Sequence, residues 1–429
     1  MSREGDAPRS EPGSSSAYSN YVLVILFVAY VFNFVDRQII NFVGDPIKEE
    51  FGISDTQLGL LKGTVFALFY AALGLPIARL ADIWVRRHII GIGIAVWSLF
   101  TAASGLVTSY AQLLAARVGV GVGEAALSPP AHSLIADYFP PERRATAMGI
   151  YFMGVHVGVL FGAVLGGTLE QYWGWRRAFI VVGLPGVALA LLLWLTVREP
   201  PRRTQKSELP AVSAVLEYLW RLKTFRHLTV ATSLTALSGF SFVAWAPDFL
   251  RRVHLMQGAE LGLKFGLVLG VAAAIGSVVA GSLADRLGRR NPRWALWVPT
   301  AATLAPLPFQ IVFFFHANPD AALAILFPGV FLAAWYQAPV FSTALTLAPE
   351  RMRSVASGIL IFFVNLIGLA LGPPLVGFLN DYVFDHHGTQ AVAYSMSVVM
   401  IVMGVWGLIH FLLAAQSYPE ELEATRNTA

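Results

Sequence analysis

Apolar residues in this chain fall in long runs of roughly 20, separated by short clusters of charge, Gly and Pro. Twenty residues of helix rise about 30 Å, the thickness of a bilayer core. Runs at 21–43, 58–80, 89–108, 113–135, 145–168 and 178–196 occupy the first part of the sequence. Runs at 228–249, 261–283, 294–315, 321–345, 355–379 and 391–415 occupy the second. A lone strand would leave its backbone groups unpaired in lipid, so each run predicts a helix. The expectation is an all-α integral membrane protein, with twelve transmembrane helices in two six-helix bundles.

The polar segments divide the chain further. Residues 1–20 are rich in Ser and Pro and lack the apolar core of a signal peptide, which predicts a cytoplasmic tail. Residues 198–227 open with Arg198-Glu199-Pro200-Pro201-Arg202-Arg203 and read as a cytoplasmic linker between bundles at 21–197 and 228–415. Residues 416–429 read as a second tail. Of 30 Lys and Arg residues, 21 lie on the side of the termini, seven on the other side, and Arg37 and Arg117 well inside runs. This asymmetry predicts cytoplasmic termini.

The two bundles echo each other. Arg79-Leu80-Ala81-Asp82, followed by Arg86-Arg87, matches Ser282-Leu283-Ala284-Asp285, followed by Arg286, Arg289 and Arg290. Pro141-Glu142-Arg143-Arg144 matches Pro349-Glu350-Arg351-Met352-Arg353. The offsets, 203 and 208 residues, nearly agree and indicate a duplicated unit. Duplicated bundles are a transporter architecture, with the substrate site between them near the midplane.

Composition removes other classes. Of 429 residues 56% are hydrophobic and 13% charged, against about 25% charged in a soluble domain. A soluble enzyme, a disordered protein and a nucleic-acid binder are excluded. The net charge of +4 belongs to the cytoplasmic loops. The absence of cysteine removes disulfides, thiolate metal sites and a cysteine nucleophile. No P-loop, Gly-x-Ser-x-Gly or His-Glu-x-x-His sequence occurs, so neither ATP-driven transport nor membrane hydrolysis has a motif. We therefore expect no enzyme activity, cofactor or metal. Gly119, Gly121 and Gly123 lack the strand–turn–helix context of a nucleotide site, and Asp385-His386-His387 reads as a solvated loop.

Four charges fall well inside the runs: Asp36, Arg37, Arg117 and Glu124. Each costs about 2.5–3.5 kcal/mol at a helix centre, so each needs a partner or a wet surrounding. Arg117 and Glu124 are seven residues apart and share one helix face. Desolvation and a neighbouring Arg push a carboxylate in opposite directions, so changing access to water can load and release a proton. A static ion-pair network tying the two helices together would use the same residues. Gly154, Gly158, Gly162 and Gly166 form a stripe for close helix packing, a seam that could rock between states.

These motifs resemble the major facilitator superfamily. The segment 281–290, Gly-Ser-Leu-Ala-Asp-Arg-Leu-Gly-Arg-Arg, matches its loop signature, while the first copy departs at Ala78, Ile83 and Val85. Val35-Asp36-Arg37, Arg117-Val118-Gly119-Val120-Gly121-Val122-Gly123-Glu124-Ala125 and Ala136-Asp137-Tyr138-Phe139-Pro140 resemble the Spinster branch, and among it the bacterial homologues. The resemblance implies a monomeric transporter of the bacterial plasma membrane working by alternating access. The first, fourth, seventh and tenth spans would line its cavity. It implies an amphipathic lipid substrate, such as a lysophospholipid or sphingosine-1-phosphate, with protons coupled at Asp36, Arg37 and Glu124, and Arg117 beside them. Asp82, Arg86, Arg87, Asp285, Arg286, Arg289 and Arg290 would form a gate between the bundles. Arg37, Asn33, His132, His156, Thr232, Ser233, Phe240, Trp245, Trp335 and Tyr336 are candidate substrate contacts. A small organic anion or drug-like compound is the alternative cargo, and a uniporter the alternative mechanism.

Overall fold

A computed structural model describes residues 16–200, 211–349 and 352–428. Its described residues are nearly all helical, and the twelve expected spans are present. The first span is one helix, Ser16–Phe42. The second combines Asp55–Gly59, a π-helical turn at Leu60–Thr64 and Val65–Ile83. The third is Arg86–Ser104. The fifth and sixth run together as Pro141–Thr196, separated where Gly174 adopts φ 77°, a left-handed conformation that favours glycine.

The fourth span differs from a continuous run. It is Tyr110–Glu124, a break, then Ser128–Tyr138. Pro129 and Pro130 open the second piece, where a missing N–H costs nothing, so the chain restarts there. The tenth span repeats the device, with Pro319–Ala333 and Gln337–Leu347 separated by a turn. The equivalent breaks extend the duplication from motif to backbone.

In the second half, Lys223–His254 and Gly258–Gly288 are the seventh and eighth spans. The ninth is split into Trp294–Leu304 and Leu307–Phe315. The eleventh is Arg353–Phe363, a π-helical stretch at Val364–Leu369, and Ala370–Tyr382. The last helix is Ala391–Thr428.

Two expected boundaries shift. The linker contains an amphipathic helix, Val212–Arg221, and the seventh span begins at Lys223. Val215 and Leu219 are buried against Phe225 and Leu228, while the linker helix turns Trp220 outward onto Phe363. The expected tail at 416–429 continues the last helix up to Thr428, because Tyr418 and Leu422 still find an apolar partner in that cluster. Glu421 accepts hydrogen bonds from the Lys223 and Thr224 amides, capping the seventh span.

The halves meet along two seams. Thr64 donates to the Ala370 carbonyl at 2.5 Å, joining the second and eleventh spans where their π-helical turns face each other. A Cβ at Gly63 would stand 2.3 Å from the Leu369 carbonyl oxygen, so only glycine permits this approach. The other seam joins the fifth and eighth spans through Gly258, Gly262, Gly266 and Gly270, which face Gly167, Ala163, Leu160 and His156. Between described residues, every hydrogen bond and ion pair joining the halves lies from mid-span toward the end away from the termini. The stripe Gly154, Gly158, Gly162 and Gly166 instead packs on Tyr30, Phe34, Gln38 and Phe42 of the first span. It holds one half together rather than forming the rocking seam.

Candidate functional site

The break in the fourth span sets the site. It places Glu124 at the carbonyl end of a helix, where the backbone dipole is unfavourable to an anion. Arg37 supplies the missing positive charge. Its Nε and a terminal nitrogen both donate to the Glu124 Oε2, at 3.1 and 2.6 Å. The Arg37 guanidinium also lies 4.9 Å from the Phe34 ring, 4.6 Å from Phe66 and 5.1 Å from Tyr70. Aromatic faces attract a cation where water is scarce. The Arg37 side chain keeps 15% of its surface open, whereas that of Glu124 is closed off.

Around this pair several buried polar atoms have no hydrogen-bond partner among the described residues. They include both Asp36 carboxylate oxygens, Glu124 Oε1, and Arg117 Nε with one of its terminal nitrogens. Asp36 faces Thr101 and Trp97 of the third span, and the charges acting on it are Glu124 and Arg117. Arg117 lies 5.3 Å from the Phe66 ring that also carries Arg37. Native interiors leave few such groups unpaired, and each unmade bond costs about 1–3 kcal/mol. A cluster of this kind is poised to exchange protons or to accept a polar ligand.

The other expected contacts are distributed more widely. Asn33 is buried one helical turn before Arg37. His132 sets its ring edge against Tyr151 and Phe152, and Tyr151 stacks on Tyr30 at 4.3 Å, so His132 borders the same region. Phe240 crosses from the seventh span to pack on the cluster holding Phe66 and Tyr70. Thr232 and Ser233 are fully buried, and their hydroxyls have no partner among the described residues. His156 sits at the inner end of the seam with the eighth span. Trp335 and Tyr336 form the break in the tenth span, with Trp335 against Phe331. Trp245 does not line an open wall. It is fully buried, and its Nε1 donates to the Pro373 carbonyl at 2.8 Å, inside the closed end.

The residues expected to latch the halves in the outward-facing state make other contacts in this conformation. Arg86 is buried and bonds Asp137 and Ser133 in its own half and Glu199 at the start of the linker. Arg87 reaches the Val197 carbonyl, again in the same half. These two arginines clamp the third span to the fourth and to the end of the sixth. Arg286, Arg289 and Arg290 are exposed. The side chains of Asp82 and Asp285 lie outside the described residues.

Charged contacts between the halves gather at the opposite end. Arg252 bonds Asp45 at 2.6 and 2.9 Å and Asp55 at 2.7 and 2.9 Å. Asp381 accepts from the Asp55 and Thr56 amides and the Thr56 hydroxyl. Arg251 reaches Glu170 and the Phe42 carbonyl. Beneath them Lys62 pairs with Asp248, both buried. Lys62 and Asp248 correct the expectation that only four charges lie deep in the spans. Their nearness to the run ends disguised them as loop residues.

The profile of the Major Facilitator Superfamily matches residues 26–373. The chain belongs to the major facilitator superfamily. A Mycolicibacterium smegmatis protein described as an MFS-type efflux pump is 32% identical over 407 residues, covering 93% of each chain. Human spinster homolog 1 is 30% identical over 393 residues, covering 86% of this chain and 74% of that protein. The crystal structure of a bacterial homologue of the human lysosomal transporter Spinster, inward-facing and unoccupied, superposes with a TM-score of 0.86. It is 30% identical and covers 95% of this chain and 99% of that one. The protein is thus a multi-pass membrane transporter of this superfamily, homologous to the Spinster proteins.

Proposed function

We propose that the protein moves an amphipathic lipid of lysophospholipid or sphingosine-1-phosphate type across the membrane by alternating access, coupled to protons through Asp36, Arg37 and Glu124. The observation that carries the reading is the buried cluster in the first half. Among the described residues one carboxylate is paired on a single oxygen, the other has only Thr101 and Trp97 beside it, and two nitrogens of a second guanidinium lack a partner within hydrogen-bond distance. Moving water toward or away from such a cluster changes which protonation state is favoured. Arg37 keeps an open edge and lies among aromatic rings, which suits an anionic head group attached to a chain. With the termini cytoplasmic in a plasma membrane, the tied end faces outward and the conformation is inward-facing.

The deciding experiment reconstitutes the protein in liposomes with labelled lysophospholipid, with and without a proton gradient. Flux that rises with the gradient supports the reading. Flux that ignores the gradient leaves a uniporter. The alternative cargo is a small organic anion or drug-like compound. Gradient-driven movement of such a compound with no lipid flux would select it.

A further inference from the structure

Lys62 and Asp248 form an ion pair across the two halves, with 0% and 3% of their side-chain surfaces exposed. Lys62 lies in the π-helical turn of the second span, Asp248 in the seventh span. Lys62 also donates to the Ala244 carbonyl at 2.9 Å, and its Nζ lies 4.6 Å from the Trp245 ring centre. The charged groups acting on Asp248 are Lys62 from the second span, Asp45 from the Gly44–Phe51 helix, and Arg252 and Arg251 from its own helix. Both guanidiniums are engaged by other carboxylates, Asp45 and Asp55 on Arg252 and Glu170 on Arg251. Lys62 is therefore the direct partner of Asp248.

Such a pair is held only while both halves are together. Separating them exposes both groups to water. Closing again removes both from water, which is tolerable only if each meets an opposite charge. A protonated Asp248 cannot supply that charge, and Lys62 would then be buried alone.

We propose that Asp248 and Lys62 are a second titratable coupling site, in which protonation of Asp248 from the tied side holds that end open and deprotonation permits closure. The proposal rests on alternating access and extends the coupling read at Asp36 and Glu124 to the other half. It assigns control of the return step to a pair 186 residues apart in sequence.

The natural sequence lacks cysteine, so a single reporter is unambiguous. Ala163 is buried in the seam against Gly262 and Gly266, and Ala163→Cys would be labelled by a membrane-impermeant maleimide only when that end opens. In the reporter protein, acidifying the tied side should speed labelling by about tenfold or more, given the cost of an unpaired buried charge. Asp248→Asn should label at the acid rate at every pH. The double change Lys62→Leu with Asp248→Leu should label slowly at every pH, since closure then buries no charge. Lys62→Arg, which keeps the pair, should retain the acid response and decides the matter if Asp248→Asn does not fold. An unresponsive parent reporter, or an Asp248→Asn profile like the parent's, overturns the proposal. Labelling needs no substrate, and the acid response should persist in Glu124→Gln. A failed lipid-flux assay therefore leaves this test standing.

Discussion

Arg86 donates to the Asp137 carboxylate at 2.5 Å, and both residues belong to the first half. In this conformation a loop arginine that the repeat motif marks as part of a gate is a buried clamp between the third and fourth spans. Arg86→Gln should therefore lower thermal stability, by about 3–5 kcal/mol for breaking a buried pair, without altering the balance between conformations. Thermal unfolding in detergent and reporter labelling measure the two effects separately.

Glu124→Gln keeps the shape of the side chain but removes its charge. Gradient-stimulated flux should fall at least about tenfold, the scale of losing one charge-assisted bond in a buried site, while exchange without a gradient persists. Liposomes loaded at two pH values provide the measurement. Unchanged stimulation would assign Glu124 to a static network.

The seams predict a contrast among glycines. Gly63→Ala places a methyl 2.3 Å from the Leu369 carbonyl oxygen, whereas a Cβ at Gly149 meets nothing within 4 Å. Overpacking of this kind costs about 1–3 kcal/mol, so Gly63→Ala should open the tied end and raise labelling there about tenfold. Gly149→Ala should leave labelling unchanged.

Glu421 accepts from two backbone amides at the start of the seventh span. Its replacement by Ala removes a cap and should cost about 1 kcal/mol, read as a lower unfolding temperature. Truncation before Glu421 should cost more, because it also removes Leu422 from the apolar cluster.

The spans were legible in the sequence because burial in lipid demands about 20 consecutive apolar residues. The duplication was legible because two motifs recur at nearly one spacing. The pairing of Arg37 with Glu124 follows from the cost of leaving either alone, and the sequence brings both into view as intramembrane charges. The break after Glu124 was signalled by Pro129 and Pro130, but an average over apolar residues conceals it.

What escaped the sequence depends on partners far along the chain. Gly154 to Gly166 and Gly258 to Gly270 have the same spacing, yet one stripe binds its own half and the other binds the opposite half. Nothing local distinguishes them. Lys62 lies near the end of its run, where a charge ordinarily reaches water, and Asp248 on the seventh span explains its burial. Arg86 likewise finds Asp137 and Glu199 at separations of 51 and 113 residues.

In the seam between the fifth and eighth spans, the glycines of the eighth span lie against the backbone of Gly167, Ala163, Leu160 and His156. Two smooth cylinders in contact act as a bearing. They can roll, and part at one end, without withdrawing knobs from holes, so the motion carries little frictional penalty. The tied end must then supply the restoring force through its charges, which makes the resting shape of the protein responsive to salt and acidity on that side of the membrane.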